Sequence, residues 1–279
     1  MLRKILVALD GSENAEKAVP WAKQYSVRET AQVVLLRAVP TKEMKRELVA
    51  RELEAARGYL QGIERELNYA GIPTKLVVKK YQAVRAIVDT AVAEGSDLIL
   101  MATRGDSSVE RWVMGGVTEQ VLRVSPLPVL VVRSRTVLPR QGHVRRVIVP
   151  VDGSRLSEAA VPWSGKLAKH LKAKLVFLHV YPQGPAALRS RNQENYDALQ
   201  KRMKKACAAL GRAGVRASFN LQRGDAADRI LAFSDVNDLI VTTTHGAGGF
   251  KRWIVGSVAE KLIHDASIPV LVYKTPAQK

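Results

Sequence analysis

The chain repeats itself. Residues 4–22, KILVALDGSENAEKAVPWA, align with 146–164, RVIVPVDGSRLSEAAVPWS, with nine identities in nineteen. SPLPVLVV at 125–132 aligns with ASIPVLVY at 266–273. The offset is 142 at the start and 141 at the end, so two segments of nearly equal length follow one another. Self-similarity on this scale means two copies of one domain. The copies are set at 1–134 and 146–279, and the polar, basic stretch 135–145 reads as the linker.

Each copy alternates strand and helix patterns. In the second, apolar β-branched runs stand at 147–151, 175–180, 238–242 and 269–273, with a weaker alternating one at 215–221. Runs without polar alternation suit strands buried on both faces of a parallel sheet. Helical patterns fall at about 155–171, 187–213, 226–235 and 257–266. The expectation is an α/β fold: two tandem doubly wound domains, each a five-stranded parallel sheet with helices on both faces. Pro20 and Pro162 inside the first helical pattern of each copy predict a kink or a late helix start. An apolar fifth strand would expose an edge, so the two copies are expected to cover each other as an internal pseudo-dimer, and homodimerisation is expected as well.

No apolar run nears the roughly 20 residues of a bilayer span, and the opening MLRKILVALDGS reads as a strand, not a signal peptide. Cys207 is alone and cannot form an internal disulfide. A cytoplasmic location is the expectation. The formal net charge is +18. Residues 1–140 carry 22 basic and 16 acidic side chains, a surplus of +6; residues 141–279 carry 22 and 10, a surplus of +12. Such a field attracts phosphates and nucleic acid, although the charges are scattered. The densest cluster, KRMKK at 201–205, has no interleaved aromatic residues to stack on bases.

Two loops per copy are placed to carry chemistry. Ligands of open parallel sheets bind beyond the carboxyl ends of the strands, where strand order reverses. The first loop is ALDGS (8–12) or PVDGS (150–154); the second is the glycine-bearing loop after the fourth strand, RGDSSVERWVMGGV (104–117) or HGAGGFKRWIVGSV (245–258). Gly256 and Ser257 stand immediately before a helix, where open backbone amides and the helix dipole make an anion site. Ser257 adds a hydroxyl and is expected to serve as N-cap, while Gly246, Gly248 and Gly249 let the loop approach phosphate oxygens. The bland reading is a glycine-rich turn that caps a helix. Neither of the two common phosphate motifs, G-x-x-x-x-G-K-[ST] and G-x-G-x-x-G, is present.

Both copies resemble the universal stress protein family over essentially the whole chain apart from the linker. The residues that carry the resemblance are ILVALDGS and VIVPVDGS, VFLHVYP (176–182), GDAADRIL (224–231), THGAGGFKRWIVGSVAEKLI (244–263) and IPVLV. It implies an adenine-nucleotide alpha-hydrolase-like fold and, for ATP-binding members, the pattern G-x2-G-x9-G-[ST]. That pattern lands on Thr243, Gly246, Gly256 and Ser257, with threonine where a glycine is expected, and in the first copy on Ala102, Gly105, Gly115 and Gly116. The resemblance further places Pro150, Val151, Asp152, Val180 and Val258 around the nucleoside and phosphates; Asp10 and Ala38 are the first-copy counterparts of Asp152 and Val180. It implies ATP, with Mg2+ carried on the phosphates. Thr243 narrows that space, and Gly116 offers no hydroxyl.

Other readings stay open. Asp-Gly-Ser after a strand is often simply a turn closed by an Asx bond. His179 and His245 lack metal-ligand spacing and read as structural, and Trp112 and Trp253 read as packing anchors. The functional expectation is a nucleotide-binding regulatory module with binding favoured in the second copy and no enzymatic activity. The alternatives are a nucleotide-free stress protein acting through partners and a basic nucleic-acid-associated protein.

Overall fold

The structure, a computed structural model, describes residues 2–26, 31–42, 44–103, 116–140, 142–183, 190–244 and 256–274. Of the candidate residues, Gly105, Gly115, Gly246 and Gly249 lie outside this set, as do Trp112, His245, Gly248 and Trp253. The chain divides into two compact units, Met1–Arg135 and Thr136–Lys279.

The first unit runs β1 (Lys4–Leu9), α1 (Glu13–Glu16), α2 (Val19–Ser26), β2 (Gln32–Ala38), α3 (Arg46–Tyr69), β3 (Thr74–Lys79), α4 (Ala83–Ala93), β4 (Leu98–Thr103), α5 (Gly116–Val124) and β5 (Val129–Arg133). Its strands are parallel in the order β3-β2-β1-β4-β5. Ile5, Leu6 and Val7 of β1 and Val33, Val34 and Leu35 of β2 have no exposed surface. That burial on both faces is what the unbroken apolar runs demand. At the edge, β3 is only partly covered and carries Lys75 and Lys79, which discourage pairing with another chain.

The second unit repeats the frame with β6 (Arg146–Pro150), α6 (Arg155–Ala159), α7 (Val161–Leu171), β7 (Lys174–Tyr181), α8 (Ser190–Arg212), β8 (Ala217–Arg223), α9 (Ala226–Phe233), β9 (Asp238–Thr244), α10 (Ser257–Asp265) and β10 (Val270–Lys274). The order is β8-β7-β6-β9-β10, again all parallel. The helix expected over 155–171 is two helices. The first ends at Ala160 and the second has Pro162 in its opening positions, the late start that proline's missing N–H dictates. On one face α7 and α8 meet so closely that a Cβ at Gly165 would lie 2.4 Å from Leu210 Cδ2.

The segment expected to link the copies is tied to the second unit. Val137 N–H donates to the Ser267 carbonyl at 3.1 Å, Arg140 N–H to Asn237 Oδ1 at 3.1 Å and Arg145 N–H to the Asn237 carbonyl at 2.7 Å. No described helix is long and apolar enough to cross a membrane.

Candidate functional site

In each unit two neighbouring strands start together and then part. β6 and β9 pair through Arg146–Asp238, Val147–Leu239 and Ile148–Ile240 and no further, although β6 continues to Pro150 and β9 to Thr244. β1 and β4 pair only through Ile5–Leu98, Leu6–Ile99 and Val7–Leu100. The chain leaves β6 for β7 on one side and β9 for β10 on the other, so the split marks the point where strand order reverses. Such a crevice at the carboxyl ends is where doubly wound sheets take ligands.

The wall formed after β6 is rigid. Asp152 Oδ1 accepts the Ser154 N–H at 2.9 Å and the Ser157 hydroxyl at 2.7 Å. Ser154 in turn caps α6 by accepting the Ser157 N–H at 3.1 Å. Burial pushes the Asp152 carboxyl up, but the bonds from Ser154 and Ser157 outweigh it and hold the group below its ordinary value. Both bonds fall on one oxygen. Among the described residues Oδ2 accepts none, so the exposed carboxylate keeps an acceptor facing outward. The Asx turn is present, and it orients the carboxylate without consuming it. Gly153 sits at φ +86°, where a side chain would be strained, as does Gly11 in the first unit.

Val151 is fully engaged. Its N–H donates to the Leu178 carbonyl at 2.9 Å, and its own carbonyl lies 2.7 Å from His179 Nδ1. A bond to a carbonyl requires a proton on Nδ1, which fixes the tautomer of neutral His179. The structural role expected for His179 therefore has a partner. Tyr181, two residues on, projects from the same face of β7. His179 and Tyr181 pack with ring centroids 5.2 Å apart, and Tyr181 meets Tyr196 of α8 at 5.0 Å. Val180 alternates to the opposite face, half-buried, at the end of the strand beside the crevice.

The opposite wall is the end of β9. Thr242 and Thr244 are buried, whereas Thr243 between them is half-exposed. Beyond it α10 opens at Ser257, and Gly256 is the N-cap residue with φ −55° and ψ 144°. Ser257 is thus the first helical residue and not the N-cap that the sequence suggested. Among the described residues no side chain caps α10. The same holds of α3, α4 and α7, whereas α1, α6 and α9 are capped by Ser12, Ser154 and Asp225. An uncapped helix start leaves amides without an intrahelical acceptor and carries the positive end of the dipole. A Cβ built at Gly256 would meet no atom of the described residues within 4 Å. At Gly116, which opens α5, the nearest atom is Gln120 Nε2 at 3.9 Å.

The first unit builds the same turn differently. Asp10 Oδ1 accepts the Ser12 N–H at 2.9 Å, but Ala15 stands where Ser157 stands in the second unit, so the second bond is missing. In both units an arginine covers the turn glycine, drawn from different elements. The Arg37 guanidinium of β2 lies 3.1 Å from a Cβ built at Gly11 and 5.0 Å from the Tyr59 ring centroid. Arg202 of α8 lies 3.7 Å from a Cβ built at Gly153 and holds Glu158 through Nε and Nη2 at 2.9 and 2.8 Å. Sequence reasoning missed Ser157, Arg202 and Arg37. The signal for the first was present in the repeat offset, which sets Ser157 opposite Ala15.

Two doubly wound α/β domains in tandem, each with two strands that part at its strand-order reversal, define the class. The sequence pattern of the universal stress protein family matches residues 1–133 and 143–274, and the chain belongs to that family. It is similar to a universal stress protein of Mycolicibacterium smegmatis, 23% identical over 289 residues and covering 97% of this chain and 96% of that one. A universal stress protein of Methanocaldococcus jannaschii is 29% identical over 157 residues, 48% of this chain and 97% of its own. The fold matches the crystal structure of a universal stress protein from Archaeoglobus fulgidus with a TM-score of 0.80 at 22% identity, over 98% of this chain and 99% of that one.

Proposed function

We propose that this tandem universal stress protein is a nucleotide-responsive regulatory module in which the second unit takes ATP. In this reading the polyphosphate lies against the first-turn amides of α10, from Ser257 and Val258, with the Ser257 hydroxyl as a further donor. The nucleoside lies between Pro150, Val151 and Asp152 on one side and the Val180 backbone on the other. Mg2+, when it accompanies the nucleotide, is held by the phosphates. The observation that carries the reading is the start of α10, where the N-cap is a glycine and, among the described residues, no side chain caps the helix, downstream of the strand that parts from β6.

Binding, not turnover, is the proposed role. The groups that support it are backbone amides and an oriented carboxylate, which position a phosphate chain but supply neither a general base nor a dedicated cation for phosphoryl transfer. The first unit is the weaker candidate: Gly116 replaces the serine, and Asp10 lacks the second hydrogen bond.

One residue favours a second reading. Thr243 stands half-exposed at the end of β9 and places a β-branched side chain beside the proposed nucleotide. If it fills that space, the protein acts through partner proteins without nucleotide. Isothermal titration of nucleotide-free protein with ATP and Mg2+ separates the two. One exothermic site per chain supports the nucleotide module, and absence of heat and of thermal stabilisation at millimolar ATP supports the partner-only reading.

A further inference from the structure

The second unit carries a row of cations at the end of its sheet opposite the crevice. Arg145 precedes β6, Lys174 opens β7 and Arg216 precedes β8. Lys174 pairs in register with Arg146, which Arg145 precedes, and Arg216 precedes Ala217, the register partner of Leu175. Lys174 N–H donates to the Arg145 carbonyl at 2.8 Å, and Leu175 N–H donates to the Arg216 carbonyl at 2.9 Å. Neighbouring strands are about 4.8 Å apart, so the row spans roughly 10 Å. All three residues are exposed, and none of their side chains has a hydrogen bond or ion pair among the described residues. They line a cleft of about 280 Å³ whose other walls include Arg146, Asp235 and Asp238.

The charges in that cleft do not cancel. Asp238, 1% exposed, is consumed by Arg146: Arg146 Nε donates to Oδ1 at 2.8 Å, and Nη2 donates to Oδ2. The Asp235 N–H also donates to Asp238 Oδ2 at 2.7 Å. The Asp235 carboxylate accepts the Val236 N–H at 2.5 Å and is left against three unpaired cations. Four cations face two carboxylates, a surplus of two positive charges.

The first unit is an internal control. Its Gln32 N–H donates to the Arg3 carbonyl at 2.8 Å, and Val33 N–H donates to the Pro73 carbonyl at 2.9 Å. These bonds repeat the second unit's, so Arg3, Gln32 and Pro73 occupy the places of Arg145, Lys174 and Arg216. One cation stands where the second unit has three. Here too the carboxylate is turned inward, since Asp97 Oδ2 accepts the N–H groups of Arg3 at 2.7 Å and Lys4 at 3.1 Å. The sheet forms without the cations, so the fold does not explain them.

We infer that the amino end of the second unit's sheet is an anion site for a compact, multiply charged phosphate chain, of pyrophosphate size or longer. Three exposed cations at the ends of three adjacent strands, spread over roughly 10 Å, match several linked phosphates better than one. The site is separate from the proposed nucleotide crevice, because strands of five to eight residues put their two ends roughly 20 Å apart. The phosphate chain comes either from an inorganic polyphosphate or from the tail of a nucleotide.

The test is titration of 15N-labelled protein with inorganic tripolyphosphate, and separately with ATP, at low and moderate salt. The expected result is saturable amide shifts at 145–146, 174–175 and 216–217 with tripolyphosphate, lost at least tenfold in affinity in Lys174→Gln/Arg216→Gln, whose thermal midpoint stays at the parent's. Shifts at the same amides with ATP assign a nucleotide tail as a second source. Shifts with tripolyphosphate alone assign the inorganic chain. Absence of shifts at millimolar tripolyphosphate overturns the site, as do shifts confined to the start of α10 or an undiminished response in the double variant. A duplex oligonucleotide that needs Lys174 and Arg216, with no response to tripolyphosphate, overturns it in favour of nucleic acid.

Discussion

The Ser157 hydroxyl donates to Asp152 Oδ1 at 2.7 Å, and through that bond the first turn of α6 fixes a carboxylate at the mouth of the crevice. Replacing Ser157 by alanine removes one of the two side-chain-directed donors on that oxygen. The Asp152 pKa is expected to rise toward its ordinary value in Ser157→Ala, read by carboxyl NMR. A depressed carboxyl contributes above its unfolded value and loses that contribution as the pH falls through its folded value. Ser157→Ala therefore narrows the stability gap with the parent below about pH 4, and unfolding at pH 7 and pH 3 checks it. A gap that stays constant with pH contradicts the assignment.

Thr243 is the residue on which the two functional readings divide. Glycine there removes a β-branched side chain from the crevice at a cost of about 1 kcal/mol in strand stability. ATP affinity of Thr243→Gly is expected to rise about tenfold, or roughly 1.4 kcal/mol, measured by calorimetry. Unchanged or weaker binding would show that the threonine does not obstruct the ligand.

Asp238 is buried against Arg146 and also accepts the Asp235 N–H. Asp238→Ala leaves the half-buried Arg146 without its carboxylate, at a cost of about 2 kcal/mol. Urea unfolding of the variant should reveal that loss. A change under about 1 kcal/mol would mean the pair is solvated and of little consequence.

Lys274 closes β10, and burial pushes its ammonium down to about 8. A depressed lysine favours the neutral folded form, so stability rises as the pH climbs from 8 toward the unfolded value and is lower on the acid side. Lys274→Met removes the titrating ammonium. The variant should lack the rise between pH 8 and 10, as thermal midpoints across that range will record.

The frame could be read from the chain because its signals are strong and local. Apolar runs with no polar alternation gave β6, β7, β9 and β10 within a few residues, and the repeat carried the assignment to the first unit. Pro162 announced the break that splits the first helical pattern of the second unit. Ser257 was misassigned by one position, because N-cap statistics favour serine, whereas the backbone turns at Gly256. Arg37 and Arg202 were out of reach. They cover equivalent turn glycines, Gly11 from a strand and Gly153 from a helix, and such a meeting is fixed by packing that no sequence spacing encodes. The cation row was hidden for a similar reason: its members are 29 and 42 residues apart and become neighbours only through the register of β6, β7 and β8.

The central claim is that backbone amides at the start of α10 receive phosphate. Ser257→Pro tests it most directly, because proline is well tolerated at the first helical position yet has no N–H to donate. The extended Gly256 before it is compatible with a following proline. Calorimetric titration with ATP and Mg2+ should show Ser257→Ala, which lacks only the hydroxyl, binding and the proline variant, unchanged in thermal midpoint, at least tenfold weaker. Equal affinity in the two proteins would contradict the account.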